Sequence, residues 1–269
     1  MLWTRIKSIL VFVPLVLAAA WLGGYFYSIF ILIVFGLAAW EYGRLLKGMD
    51  YFVSFPFLIV GVTALLAWRA VWGFWHADLN IVILVMAVAI LGLVRFEKGD
   101  PRALLVFALH LSGILYLGWL GGYFLSVRAL PNGRWLMMLS IGLVWLVDAS
   151  AYLVGARWGS HHMTPRLSPN KTWEGYLSGL AAGLLFGAVL PLLLQPVLPD
   201  VNPGKGAILG AAIALLTPFG DIFVSMLKRV AGVKDTGNLI PGHGGVLDRV
   251  DSWIWAMVIG YYFGLVLGH

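Results

Sequence analysis

The sequence predicts an all-α polytopic membrane protein of about nine transmembrane helices, with the N-terminus cytoplasmic and the C-terminus outside. Three observations carry that reading. The 269 residues are 61% hydrophobic and 11% charged, where soluble domains run at roughly 45–50% apolar and about 25% charged. Apolar runs of spanning length recur along the whole chain, and Lys and Arg alternate in abundance from one connection to the next. Such a composition excludes a disordered, collagenous or nucleic-acid-binding soluble chain. The absence of cysteine excludes a disulfide framework, a thiolate metal site and a thiol nucleophile.

A spanning helix needs ~20 mostly apolar residues. Bounded by charge or by Pro and Gly clusters, the spans fall near residues 8–23, 26–44, 54–73, 79–95, 103–127, 135–156, 173–195, 206–227 and 252–268. The start, with Arg5, Lys7 and then Ala18, Ala19 and Ala20, has the outline of a signal peptide. Apolar sequence resumes directly after Trp21, so an uncleaved first span is the simpler reading. The fifth stretch is long and carries Gly118, Gly121 and Gly122, which suggests a tilted or broken helix.

Orientation follows from the cations, because cytoplasmic loops are enriched in them. One side holds Arg5, Lys7, Arg44, Lys47, Arg95, Lys98, Arg102, Arg157, Arg166, Lys171, Lys228, Arg229, Lys234 and Arg249. The other holds only Arg69, Arg128, Arg134 and Lys205. Residues 1–134 therefore read as scaffold spans, and residues 135–269 as spans carrying two polar cytoplasmic loops, 155–173 and 228–251.

Chemistry is expected in those two loops. From Ser225 to Asp251 the chain places Lys228, Arg229, Lys234, Asp235, His243, Asp248, Arg249 and Asp251 close together, with Asp221 just inside the preceding helix. Mixed cations and carboxylates at this density suit a polyphosphate with a divalent ion: carboxylate oxygens suit Mg²⁺, and Lys and Arg neutralise phosphate. Asp221, Ser225 and Lys228 fall on one helical face, as do Asp248 and Asp251 on the next helix, so two acidic faces could meet across a cleft. The run Pro241, Gly242, His243, Gly244, Gly245 permits a tight turn and close approach of backbone to phosphate. It is neither a Walker A loop nor a dinucleotide fingerprint. Asp148 and Asp221 lie within apolar spans, where a carboxylate is costly and needs a reason. Asp148 reads either as a helix–helix hydrogen bond or ion pair, or as a lining residue of the same cleft. His243 reads as a phosphate or backbone donor, His161 and His162 as loop residues near headgroups, His110 as a packed, hydrogen-bonded histidine, and Glu41 with Arg44 as an interfacial pair.

Across Ser225, Lys228, Arg229, Lys234, Asp235, Gly237, His243, Gly244, Gly245, Asp248, Arg249 and Asp251 the sequence resembles the phosphatidate cytidylyltransferase (CDP-diacylglycerol synthase) family without departure. Two weaker stretches support the resemblance: Asp148, Ala151, Tyr152, Gly155, Arg157, Gly159, and Ser168, Pro169, Lys171, Thr172, Glu174, Gly175. The resemblance implies an inner-membrane nucleotidyltransferase of phospholipid biosynthesis that converts CTP and phosphatidate to CDP-diacylglycerol and pyrophosphate, and a homodimer. It implies Mg²⁺ held by Asp221 and Asp248, with K⁺ as an accompanying ion. Lys228, Arg229, Lys234, Asp235 and Asp251 are then expected in catalysis. Ser168, Asn170, Lys171, Thr172, Ser225, His243, Gly244, Gly245, Arg249 and Asp148 are expected around the substrates. The rival readings are a CTP-dependent polyprenol or dolichol kinase, which would release CDP, and an ion-coupled transporter, which would need carboxylates without a dense phosphate-binding loop.

Overall fold

Long apolar runs leave the backbone little choice but helix, because inside a bilayer every N–H and C=O must be satisfied within the segment. The computed structural model describes residues 14–240, 242 and 244–268. Residues 14–22 are helical and are labelled α1. There follow α2 (Gly24–Gly48), α3 (Phe55–Trp72), α4 (Ala77–Glu97) and α5 (Ala103–Gly113). A π-helical segment (Ile114–Leu120) leads to α6 (Tyr123–Ala129) and α7 (Gly133–Trp158), and a hairpin of β1 (His162–Thr164) and β2 (Ser168–Thr172) leads to α8 (Trp173–Leu194), α9 (Pro203–Val230) and α10 (Leu247–Val266).

The protein is a multi-pass, predominantly α-helical membrane protein: seven helices among the described residues are long and apolar enough to cross a membrane. The sequence predicts about nine. Residues 8–13 of the first expected span lie outside the described residues, with Arg5 and Lys7. The ninth is α10, whose first two turns carry Asp248, Arg249 and Asp251 and make it more polar than the seven. The fifth span is broken as expected, changing from α to π geometry at Ile114 and turning at Gly121 and Gly122. The loop expected over 155–173 instead contains the antiparallel hairpin, paired His162 to Thr172 and Thr164 to Ser168.

The chain divides into two compact units, residues 1–126 with 230–248, and residues 127–229 with 249–269. In the first, α2 packs on α3 and on the π-helical segment. The Tyr42 hydroxyl, 3.0 Å from the Leu109 carbonyl, ties α2 to α5, and Gly113 is small because the Tyr42 ring occupies the space a Cβ would take. His110 is fully buried: its Nδ1 lies 2.8 Å from the Val106 carbonyl and its Nε2 accepts from the Ser54 N–H at 3.1 Å, which fixes the Nδ1–H tautomer. Arg69 is buried against the rings of Phe74 and Trp119 and donates to Ser126 at 3.0 Å.

In the second unit α7 and α8 form the most extensive pairing, through small residues. A Cβ on Gly175 would press on the Ala151 carbonyl, and one on Gly179 would crowd Val147. The next contact repeats the device: Gly183 and Gly187 of α8 meet Gly210 and Gly206 of α9 backbone to backbone, with no room for a methyl on any of the four. In lipid, where helices gain nothing from hiding apolar surface from one another, this close approach is what packing can offer.

Candidate functional site

The hairpin and α8 are built to deliver one lysine. Thr172 is extended (φ −122°, ψ 153°) and its Oγ1 accepts from the Gly175 N–H at 3.2 Å, capping α8. Glu174, in the first turn, accepts from the Ser160 hydroxyl at 2.8 Å, from the His161 N–H at 3.2 Å and from His161 Nδ1 at 2.6 Å. These contacts close the open end of the hairpin, where β1 begins and β2 ends. Lys171, one residue before the cap, then projects onto α9: its Nζ lies 2.8 Å from Asp221 Oδ2 and donates to the Pro218 carbonyl at 3.1 Å. Pro218 lies inside α9, where it removes one helical N–H and loosens the local carbonyls. The Tyr176 hydroxyl donates to the Leu215 carbonyl in the same turn, at 3.0 Å.

Asp148, Asn170, Lys171, Thr172 and Asp221 line one cavity of about 330 Å³, with Val147, Ala151, Met163, Tyr176, Ala214 and Pro218 as its apolar wall. That volume and mixture suit a small polar group carried on an apolar body. The cavity holds two carboxylates and one ammonium group. Asp148, left open between a structural and a lining role by its sequence, is a lining residue here, facing the same space as Asp221 rather than an arginine. Ser225 donates to Asp221 Oδ1 at 3.2 Å, as their i, i+4 spacing predicts. Arg229, on the last turn of α9, donates through Nε to the Leu167 carbonyl at 3.1 Å and so also holds the hairpin. Ser168 pairs with Thr164 in the hairpin, and Lys228 lies in the last turn of α9. Arg249 is exposed on α10, whereas Asp251 is buried and accepts from the Ser252 N–H at 2.6 Å. A Cβ on Gly220 would meet the Asp251 backbone, so α9 and α10 touch there.

The remaining expected residues belong to the first unit. Lys234 and Asp235 are exposed on the loop that precedes α10. His243 lies outside the described residues. Asp248 Oδ2 accepts from the Thr236 N–H at 2.9 Å and the Gly245 N–H at 3.1 Å, and lies 2.9 Å from the Thr236 hydroxyl oxygen. Gly244 has φ +84° and a Cβ there would approach Asp248 Oδ2 at 2.9 Å, so both conformation and space demand glycine.

One residue was misread from its sequence. Glu41 does not form an interfacial pair with Arg44; it is fully buried, and the Arg44 guanidinium lies over the Trp40 ring instead. Glu41 Oε1 accepts from the Val246 N–H at 3.0 Å, and Oε2 from the Leu247 N–H at 2.9 Å and the Thr236 hydroxyl at 3.0 Å. Its partners are more than 190 positions away in the chain, so no local spacing signals them. The only local hint was a lone carboxylate within an otherwise apolar span.

Hard carboxylate oxygens of the kind that Mg²⁺ takes are present on the two residues expected to hold it, Asp221 in the second unit and Asp248 in the first. Asp221 and Asp148 offer hard carboxylate oxygens on one cavity, and Lys171 already places a positive charge on Asp221 Oδ2. Among the described residues no three His, Asp or Glu side chains cluster closely enough to cage an ion. Mg²⁺ commonly needs no such cage: one or two carboxylates, waters and substrate phosphates complete its shell.

Residues 3–267 match the cytidylyltransferase family. The phosphatidate cytidylyltransferase of Brucella suis is 32% identical over 277 residues, which take in 98% of this chain and 94% of that protein. The enzyme of the same name from Synechocystis sp. is 40% identical over 137 residues, 51% of this chain and 45% of that protein's own length. A third, from Bacillus subtilis, is 34% identical over 149 residues, covering 55% of this chain and 54% of the relative.

Proposed function

The chain belongs to the cytidylyltransferase family, and from that membership we propose that it catalyses the phosphatidate cytidylyltransferase reaction. The observation that carries the proposal is the cavity in which Lys171 meets Asp221 beside Asp148. Two carboxylates within helices of spanning length, facing one ammonium group, are hard to explain structurally and suit a phosphate that must be handled where a lipid headgroup lies.

In this reading a phosphatidate phosphate oxygen attacks the α-phosphorus of CTP in line. The bond from that phosphorus to the bridging α–β oxygen breaks, and pyrophosphate leaves with both bonding electrons. The protein forms no covalent bond. Its residues position phosphates and neutralise their charge, which is how most phosphoryl-transfer sites work. Lys171, Lys228, Arg229, Lys234 and Arg249 bind phosphate oxygens; Ser168, Asn170, Thr172, Ser225 and the glycines at 244 and 245 shape the surrounding surface. Asp221 and Asp248 are the residues proposed to hold Mg²⁺. When bound, the ion supplies charge neutralisation on the triphosphate. Lys171, which rests on Asp221, would exchange that carboxylate for a substrate phosphate. The cation-rich loops support a site on the cytoplasmic side of the inner membrane, where CTP is available. The test is pyrophosphate release by purified protein in mixed micelles. Release that requires CTP, phosphatidate and Mg²⁺ together supports the proposal; release without phosphatidate, or none with all three, overturns it.

A further inference from the structure

The deepest carboxylate in the first unit is one that the reaction does not use. Glu41 on α2 is fully buried beneath the loop that joins α9 to α10. Residue 246, next to the start of α10, is a valine with no side-chain acceptor, so the first N–H groups of that helix need a partner from elsewhere. Glu41 supplies it, accepting from the N–H groups of Val246 and Leu247, and its negative charge lies at the positive end of the helix. The same carboxylate accepts from the Thr236 hydroxyl, which stands 2.9 Å from Asp248 Oδ2 on its other side. Gly237 and Gly245 are explained by this carboxylate as well. A Cβ on either would strike it, and one on Gly245 would also strike the Thr236 hydroxyl.

We infer that Glu41 is a positioning residue for the reaction, acting through Thr236 and the α10 N-terminus to hold the Asp248 carboxylate in its working place. The inference rests on the proposed role of Asp248. Three donors converge on the two oxygens of Glu41, and both oxygens must accept. Glutamine has the same shape but turns an N–H₂ toward at least one of those donors, leaving a buried donor without an acceptor. The loop then loses its template while the apolar packing of α2 stays intact. Gly245, which the sequence reads as allowing backbone to approach phosphate, also leaves room for Glu41.

The experiment uses the full-length protein in detergent, with Asn238→Cys as the sole cysteine in a naturally cysteine-free chain, carrying a nitroxide on the exposed loop. Glu41→Gln should make that label more mobile and lower kcat about 10–100-fold, the usual range when a residue orienting a metal-site carboxylate is changed. The KM for phosphatidate should stay within about twofold. Thr236→Val should move both readouts in the same direction, and Thr236→Ser, which keeps the hydroxyl, should restore them. Should Glu41→Gln fail to fold, the valine and serine pair decides alone. Unchanged label mobility in Glu41→Gln, or equal behaviour of Thr236→Val and Thr236→Ser, overturns the inference. Failure of the wild type to join CTP to phosphatidate would instead overturn the proposed function, and the label would still report whether Glu41 orders the loop.

Discussion

Replacing Asp221 by asparagine separates structure from chemistry at the centre of the proposed site. The asparagine carbonyl can take over the Oδ1 role toward Ser225, but its amide N–H₂ would stand where Oδ2 now meets Lys171 at 2.8 Å. Two unit charges 4 Å apart attract by about 4 kcal/mol at an effective dielectric constant near 20. The side chains of Lys171 and Asp221 are 24% and 37% exposed, so solvation and side-chain entropy reduce the net loss to about 1 kcal/mol. Against this, removing a carboxylate from a membrane-embedded helix returns up to about 2.5–3.5 kcal/mol on insertion scales. Stability should therefore hold or rise slightly. Catalysis should not: losing roughly 4 kcal/mol of transition-state stabilisation slows turnover by ~10³. The assay is pyrophosphate release across a Mg²⁺ titration, with thermal melting as the folding control. A variant that melts like the wild type and turns over within about threefold of it at low Mg²⁺ would refute the metal role and leave Asp221 as no more than the partner of Lys171.

The other expectations are simpler to read. Arg229→Ala, which removes the Nε bond to the Leu167 carbonyl as well as a phosphate-binding cation, should impair turnover strongly at near-normal expression; a variant active at saturating substrate would reduce Arg229 to a topology determinant. Gly210→Leu forces a side chain into the Gly183 backbone and should cost at least the about 1–3 kcal/mol typical of overpacking, read as a lowered melting temperature; an unchanged melt would mean that α8 and α9 do not pack so closely. Single cysteines at the exposed positions Ser160 and Asn238 should label from the cytoplasmic face of sealed cells, and one at the exposed Asn202 from outside; labelling of Asn238 from outside would invert the proposed orientation. Asp100 lies in the turn between α4 and α5, where the Arg102 N–H and then the Arg95 guanidinium hold its carboxyl below the usual carboxylate range. That contribution is present at neutral pH and fades as pH falls through the lowered folded value, so the melting temperatures of wild type and Asp100→Asn should converge in acid.

The helical architecture was legible because apolar run length and backbone hydrogen bonding leave few alternatives within a bilayer, and the break in the fifth span was legible from its glycines. Within the site, the Asp221–Ser225 contact followed from helical periodicity alone. The pairing of Lys171 with Asp221 required two loops to meet, and only their shared polarity hinted at it. Thr172 as the cap of α8 and the hairpin before it were hidden because the segment reads simply as polar and irregular. Glu41 was misread for a sharper reason: a carboxylate three residues before an arginine has an obvious local partner, whereas its actual partners are three donors about 200 residues further on. Local spacing reveals helix faces; it does not reveal which loop will be folded over them.

The claim that this chain transfers a cytidylyl group is tested most directly by following the label from two forms of CTP. Purified protein is given phosphatidate and Mg²⁺ with CTP carrying ³²P at either the α or the γ position. The α label should enter the lipid and the γ label should leave as pyrophosphate, in equal amounts. Transfer of the γ label to the lipid with release of CDP would make the protein a kinase and contradict the account.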